Sequence, residues 1–237
     1  MNYAIVLAGG VGLRMGNPKT PKQFVMLCDK PIIIYSLQGA NDNPNIETIC
    51  VVCANEWQDK VREWCKEYGI TKTILFAEAG KNRQQSVHNG LKQINANEDD
   101  IVIIMTAVCP FVSQVTIDNS FALMDKYDAC ITVVRASDAI TFSDDGKMAK
   151  CTLQKSKMFI QQGPQTFRYG LIKKGHEMYE SDENRVEVNE DSELVLNMGV
   201  EVGMVLGDRF CVKVTYPEDI AIVEAIKPIF EQNELKG

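Results

Sequence analysis

Tyr3-Ala4-Ile5-Val6-Leu7-Ala8-Gly9-Gly10-Val11-Gly12-Leu13-Arg14-Met15-Gly16, followed closely by Pro21-Lys22-Gln23, decides how this chain reads. The apolar run Tyr3 to Leu7 reads as a buried strand. It enters a loop holding Gly9, Gly10, Gly12 and Gly16, with the cations Arg14, Lys19 and Lys22 in it or just beyond. A strand ending in a side-chain-poor loop offers backbone N–H groups to a ligand, and neighbouring cations suit those groups to a phosphate chain. The sequence therefore predicts a nucleoside triphosphate as ligand and transfer at one of its phosphorus atoms as chemistry. The loop is not a Walker A motif, because G-x-x-x-x-G-K-[ST] occurs nowhere in the chain. Gly10-Val11-Gly12 begins a G-x-G-x-x-G string, but Met15 holds its third position and Gly16 comes one residue late.

Beyond that loop, β-rich apolar runs alternate with helical patterns. Strands are expected at Tyr3–Leu7, Thr48–Cys53, Thr73–Ala77, Ile101–Met105 and Ala129–Val134. Helices are expected at Pro31–Ala40, Glu56–Tyr68, Arg83–Ile94 and Thr116–Lys126. In the second of these helices Val61, Trp64, Cys65 and Tyr68 share one face at a 3.6-residue period. This rhythm predicts an α/β fold: a doubly wound, mostly parallel sheet with helices on both faces. Ligands of such sheets sit beyond the carboxyl ends of the strands, where the glycine loop and the segment Thr106–Ser113 both fall. The rhythm breaks between Ser137 and Lys157, where Ala139–Phe142 and Lys147–Leu153 flank Ser143-Asp144-Asp145-Gly146 and read as a projecting β-hairpin. A helix after Gly170, a strand over Asp208–Thr215 and a last helix opening at Pro217-Glu218-Asp219 complete the expectation. The chain reads as a single domain over residues 1–237 with an arm over 137–157.

Bulk composition narrows the class. The chain has 237 residues, a formal net charge of -7, 45% hydrophobic and 24% charged residues, as in an ordinary globular protein. The acidic balance argues against a nucleic-acid partner. No apolar run approaches the ~18 residues that span a bilayer, and no secretory leader is seen, so the expectation is a cytoplasmic protein with no membrane association. Eight cysteines are scattered along the chain. The lone C-x-x-C, Cys50 to Cys53, lies in an apolar strand far in sequence from His88 and His176, and reads as core packing rather than as a metal site.

Several blocks together resemble the cytidylyltransferases that make CDP-methylerythritol or CDP-ribitol. They are Leu7-Ala8-Gly9-Gly10-x-Gly12-x-Arg14-Met15-Gly16 with Pro21-Lys22-Gln23-Phe24; Gly80-Lys81-Asn82-Arg83-Gln84-Gln85-Ser86-Val87; Gly163-Pro164-Gln165-Thr166-Phe167; and Val212-Lys213-Val214-Thr215 with Pro217-Glu218-Asp219. The blocks run in the family's order over nearly the whole chain. The resemblance implies a Rossmann-like fold of the nucleotide-diphospho-sugar transferase type and the use of CTP with Mg²⁺ held mainly by its phosphates. It also implies a homodimer joined through the hairpin. Arg14, Lys22 and Lys213 are implied as the catalytic cations, and Leu7, Ala8, Gly9, Gly10, Gly12, Gly80, Arg83, Ser86 and Thr106 as nucleotide contacts. Thr106, Cys109, Ala139, Lys155, Gly163, Gln165 and Thr215 fall on the side of a small phosphorylated acceptor.

The sequence departs from that family on one side. Where the pattern reads roughly D-A-x-R-P, this chain has Thr106-Ala107-Val108-Cys109-Pro110. Asp138 is followed by Ala139 where threonine is usual, Lys155 takes the place of an arm arginine, and Gly163 replaces the threonine of T-P-Q. The nucleotide side stands while the acceptor side is rewritten, with a carboxylate and a guanidinium lost together. The expectation is a CTP-dependent enzyme whose acceptor is ribitol-5-phosphate-like. The alternatives are the 2-C-methyl-D-erythritol 4-phosphate enzyme of isoprenoid synthesis and a non-catalytic nucleotide-binding homologue. Metal ligands are not assigned, with Asp208 considered and read instead as a turn residue.

Overall fold

A computed structural model describes residues 1–10 and 20–235. Seven strands form the main sheet: β1 (Asn2–Leu7), β4 (Thr48–Cys53), β5 (Thr73–Glu78), β6 (Ile101–Thr106), β7 (Ala129–Arg135), β10 (Phe159–Arg168) and β11 (Gly203–Leu206), in the order β11-β7-β10-β6-β1-β4-β5. Every neighbouring pair is parallel except those made by β10, which runs antiparallel to both β6 and β7. Two short hairpins stand outside this sheet, β2 (Met26–Leu27) with β3 (Lys30–Pro31) and β8 (Thr141–Phe142) with β9 (Cys151–Thr152).

Helices α1 (Ile32–Asp42), α2 (Asn55–Glu67) and α4 (Gln114–Leu123) cover one face. Helices α3 (Arg83–Gln93), α5 (Tyr169–Ser181) and α6 (Asp191–Asn197) cover the other. The period of two along each strand sorts the core. Ala4, Val6, Ile49, Val51, Ile103 and Met105 face the first set of helices, while Tyr3, Ile5, Cys50, Val52, Val102 and Ile104 face the second. Parallel strands covered on both faces carry continuous apolar runs, which is why β1, β4 and β6 were plain in the sequence. Cys50 and Cys53 are fully buried on opposite faces, and burial pushes each thiol up to about 12.

Three segments differ from the sequence expectation. The edge strand is Gly203–Leu206, paired with β7, and residues 208–215 form no strand. Phe210, Val212 and Val214 do recur at every second position. They instead pack with Phe111 and with Val223 and Phe230 of the last helix, α7 (Glu218–Glu234), and Val214 N donates to Val108 O at 2.9 Å. Strand β10 was not anticipated: its sequence FIQQGPQTFR lacks apolar alternation, and its register with β7 slips between Gln162 and Gln165. Helix α6 was also missed, although Glu190 and Glu193 close a capping box at its start. The hairpin is present with strands of two residues each, shorter than expected, and leaves Phe142 and Met148 exposed.

A single turn of 3-10 helix over Lys22–Phe24 follows the undescribed part of the glycine loop. Phe24 anchors it, stacked on Trp57 of α2 with centroids 4.3 Å apart. Replacing Phe24 by alanine opens a cavity beneath this turn, and we expect about 3–4 kcal/mol of lost stability in urea unfolding. A loss below about 1 kcal/mol, the level of an ordinary surface change, would contradict the anchoring role.

Candidate functional site

The carboxyl ends of β1, β5 and β6 open onto a cavity of about 440 Å³. The backbone of Leu7 to Gly10 forms one wall, held to its neighbours by Ala8 N→Val52 O (2.8 Å) and Ala107 N→Leu7 O (3.0 Å). Gln23, almost fully buried, turns its amide onto the loop and donates to Ala8 O (2.5 Å) and Gly10 O (2.9 Å). Gly9 is dictated by close packing, because a Cβ there would lie 2.5 Å from Ala79 Cβ. A Cβ built on Gly10 would meet none of the described residues within 4 Å.

The opposite wall is the loop before α3. Asn82 caps that helix by accepting from Gln85 N at 2.8 Å. Ser86 Oγ accepts from Gly80 N (2.9 Å) and donates to Asn82 O (2.8 Å), drawing the loop tight. A Cβ on Gly80 would meet Gln85 at 2.5 Å.

Lys22 and Lys213 close the rim. Lys22 Nζ donates to Val214 O at 2.9 Å, which ties the turn after the glycine loop to the segment that carries Lys213. The 213–216 segment is fastened from below: Asp219 Oδ2 accepts from Thr215 N (2.7 Å) and Tyr216 N (2.8 Å), and Val214 is fully buried. The described residues lining this cavity include Lys22, Lys81, Arg83 and Lys213 and no carboxylate. Such an arrangement suits a polyanion.

A second cavity, of about 230 Å³, adjoins the first, and Arg83, Thr106 and Lys213 line both. Cys109, Gly163, Gln165 and Cys211 complete much of its wall, with Ile160 and Glu190. Arg83 does not enter it as a free charge. Its guanidinium pairs with Glu190 Oε2 (3.1 Å) and with Asp191 Oδ2 (2.5 Å), and Asp191 Oδ1 lies 3.1 Å from His176 Nε2. Burial alone would raise the Asp191 carboxyl. The His176 hydrogen bond and the Arg83 charge outweigh it and hold the group below the ordinary 3.8. Gln165 is likewise engaged, donating to Glu190 Oε2 (2.6 Å) and accepting from Ser192 N (3.0 Å).

The structure brings together Leu7, Ala8, Gly9, Gly10, Lys22, Gly80, Arg83, Ser86, Thr106 and Lys213 around the first cavity, and Thr106, Cys109, Gly163 and Gln165 around the second. Gly12 and Arg14 lie outside the described residues. Three expected acceptor residues line neither cavity. Thr215 donates through its hydroxyl to Lys213 O (3.1 Å) and so supports the lysine's backbone. Ala139 and Lys155 sit on the arm, where Lys155 Nζ donates to Ser137 O (2.8 Å). Sequence reasoning gave no role to Gln23, Lys81, Glu190, Asp191 or Cys211. Gln23 and Lys81 lay inside quoted blocks, and the capping-box acids were the only local sign of Glu190 and Asp191. No group of three or more His, Cys, Asp or Glu side chains among the described residues is arranged to hold a metal ion. Asp208 is a turn residue, its Oδ1 accepting from Phe210 N (2.8 Å) and Cys211 N (3.2 Å).

A mostly parallel α/β sheet with a glycine-walled, lysine-rimmed cavity at its carboxyl edge places this protein among the Rossmann-like nucleotidyltransferases. The sequence profile of the 2-C-methyl-D-erythritol 4-phosphate cytidylyltransferases matches residues 2–228. The chain is 36% identical over 237 residues to the 2-C-methyl-D-erythritol 4-phosphate cytidylyltransferase of Clostridioides difficile, covering 100% of this chain and 98% of that one. It is 32% identical over 239 residues to the ribitol-5-phosphate cytidylyltransferase of Vibrio parahaemolyticus, covering the whole of both. The fold matches that of the 4-diphosphocytidyl-2C-methyl-D-erythritol synthase from Anaerococcus prevotii with a TM-score of 0.84, at 24% identity over 96% of each chain. The chain belongs to the 2-C-methyl-D-erythritol 4-phosphate cytidylyltransferase family. No helix among its described residues is long and apolar enough to cross a membrane.

Two tests follow from this geometry. Gly9→Ala must push against Ala79, so we expect about 1–3 kcal/mol of destabilisation. Gly10→Ala should leave the melting temperature unchanged and weaken only triphosphate binding, a contrast that thermal melts with and without CTP will read. The lowered Asp191 carboxyl contributes stability that is fully present above its unfolded value of 3.8 and is lost as pH falls through the folded value. Asp191→Asn should therefore cost about 3 kcal/mol or more at neutral pH and flatten the fall in stability below pH 3.8. A variant as stable and as acid-sensitive as the parent would contradict the assignment.

Proposed function

We propose that this chain transfers a cytidylyl group from CTP to a small phosphorylated polyol of the ribitol 5-phosphate kind, releasing pyrophosphate and forming a CDP-activated product. The carrying observation is the wall that the two cavities share. Thr106, Arg83 and Lys213 line both, so a triphosphate in one and a phosphate-bearing acceptor in the other meet at Lys213. There an acceptor phosphate oxygen attacks the α-phosphorus, and the bond from that phosphorus to the bridging oxygen of the departing pyrophosphate breaks. Charge grows on the nonbridging and leaving oxygens, and positioned cations stabilise it. Arg14, Lys22 and Lys213 take this role. No general base is needed, since a phosphomonoester with a second pKa of about 6 is already a dianion near neutrality. The Leu7–Gly10 backbone, Gly12, Gly80 and Ser86 hold the nucleoside and phosphates. Arg83, already paired to two carboxylates, acts as a rigid wall rather than as a further phosphate-binding cation.

Mg²⁺, when bound, would neutralise charge on the triphosphate. The described residues lining the first cavity offer it no carboxylate, so its oxygens come mainly from the phosphates, which suits an ion that keeps few protein ligands.

Thr106 and Cys109 stand where the family pattern carries an acid and an arginine, and Ile160 and Cys211 add apolar surface to the same cavity. This wall favours an acceptor other than methylerythritol phosphate. The second reading, the isoprenoid reaction itself, is favoured by the 36% identity to the Clostridioides difficile enzyme of that name. The hairpin serves dimerisation: its exposed Phe142 and Met148 suit a second copy, whose Ala139 and Lys155 would then approach the acceptor cavity.

Pyrophosphate release from CTP in the presence of each acceptor separates the readings. We expect turnover with ribitol 5-phosphate and little with methylerythritol phosphate; robust turnover of the latter overturns the acceptor assignment. Lys22→Ala and Lys213→Ala should each lower kcat by about 10²–10³. Light scattering should report a dimer, and a monomer after residues 140–152 are replaced by a short glycine linker. A parent protein that is already monomeric contradicts the role of the arm.

A further inference from the structure

His176 of α5 and Asp191 at the start of α6 are fully buried, and neither is among the described residues that line the two cavities. They still bear on the wall. Asp191 Oδ1 lies 3.1 Å from His176 Nε2, and Asp191 Oδ2 lies 2.5 Å from Arg83 Nη1. Arg83 lines both cavities, its side chain 26% exposed. His176 Nδ1 has no hydrogen-bond partner among the described residues, so the proton that this geometry needs belongs on Nε2. His88, the other histidine, pairs through Nδ1 with Glu180 at 2.7 Å and leaves Asp191 to His176. The two carboxylates on Arg83 are unequal. Glu190 is 34% exposed, so water screens its pair. Asp191 is shut from solvent, where an uncompensated charge is costly. Asp191 therefore decides where the guanidinium lies.

We propose that Asp191 and His176 are positioning residues that hold the Arg83 guanidinium off the phosphate chain, an inference that rests on the CTP reading above. An arginine beside a phosphate chain ordinarily takes it with two parallel N–H donors. Here Nη1 and Nη2 face carboxylates instead. His176 donates from Nε2 to Asp191 Oδ1, which stops the carboxylate from turning and leaves Oδ2 to Arg83. The consequence is kinetic. A guanidinium released onto the phosphates would hold them equally before and during the reaction, which tightens CTP without speeding transfer. It would also occupy the wall that the two cavities share, where the acceptor must approach the α-phosphorus. Loss of the pair thus tightens CTP binding and slows turnover, whereas plain loss of structure weakens both.

The experiment compares His176→Gln and His176→Asn in the full-length protein, by titration calorimetry with CTP and Mg²⁺ and by pyrophosphate release with ribitol 5-phosphate. Glutamine can place an amide N–H near the position of Nε2, while asparagine is too short to reach Asp191. We expect His176→Asn to bind CTP more tightly by about threefold or more. Its turnover should fall by about tenfold or more, with His176→Gln close to the parent. In an Arg83→Gln background, His176→Asn should leave CTP affinity unchanged. Tightening that persists there overturns the proposal, because the pair would not be acting through Arg83. A folded His176→Asn that binds CTP no more tightly than the parent, or turns over as fast, also overturns it. Should that variant not fold, the ring nitrogen shifts of His176 in the parent protein decide: a proton on Nε2 supports the relay and a bare Nε2 overturns it. A parent that binds no CTP fails the functional reading itself and takes this inference with it. A parent that binds CTP but turns over no polyol phosphate fails only the acceptor assignment, and the affinity contrast still decides.

Discussion

One lysine held against the carbonyl next to another lysine sets the terms for the rest of this molecule. Lys22 Nζ sits 2.9 Å from Val214 O, one residue from Lys213. Bringing like charges together in a partly enclosed site is unfavourable, and the fold offsets it with a main-chain dipole and two firmly anchored segments. Phe24 stacks on Trp57 beneath the first segment. Buried Val214 and the Asp219 carboxylate fasten the second. Remove either anchor and the two cations have no reason to stay at one rim.

The opposing walls follow the same economy. Neither glycine of the close contacts is a matter of flexibility. Gly9 lies against Ala79 and Gly80 against Gln85, so the β1 loop and the loop before α3 approach with nothing between them. Gln23 uses its amide to hold two loop carbonyls, which leaves the loop free to present N–H groups to the cavity. On the far side, Arg83 is held by Glu190 and Asp191, with His176 behind them. The positive character of the site is thus concentrated on the side of the lysines. A buried Asp191–His176 pair that fixes an arginine supplies shape to the wall more than charge.

How much of this was legible in the chain depended on where the physics was local. Strands β1, β4 and β6 announce themselves because parallel strands buried on both faces must be apolar throughout. The glycine loop, Lys22 and Lys213 were legible through short blocks. Residues 208–215 misled because Phe210, Val212 and Val214 alternate as a strand would, yet bury their side chains against α7 rather than pairing in the sheet. Strand β10 was hidden for the opposite reason. Its glutamines spend their amides on Ser192, Asp208 O and Glu190, contacts that no local pattern encodes. The pairing of Arg83 with Asp191 is likewise a tertiary event, invisible until β10 and α6 are in place.

The central claim is that the site grips the phosphate chain, and the phosphate count of the ligand tests it most directly. Titration calorimetry of the protein with CTP, CDP and CMP, each with Mg²⁺, should show affinity falling at each lost phosphate. We expect CTP to bind at least tenfold more tightly than CMP, about 1.4 kcal/mol. Equal affinities for CTP and CMP would contradict the account, because the lysine rim would then contribute nothing to holding the ligand.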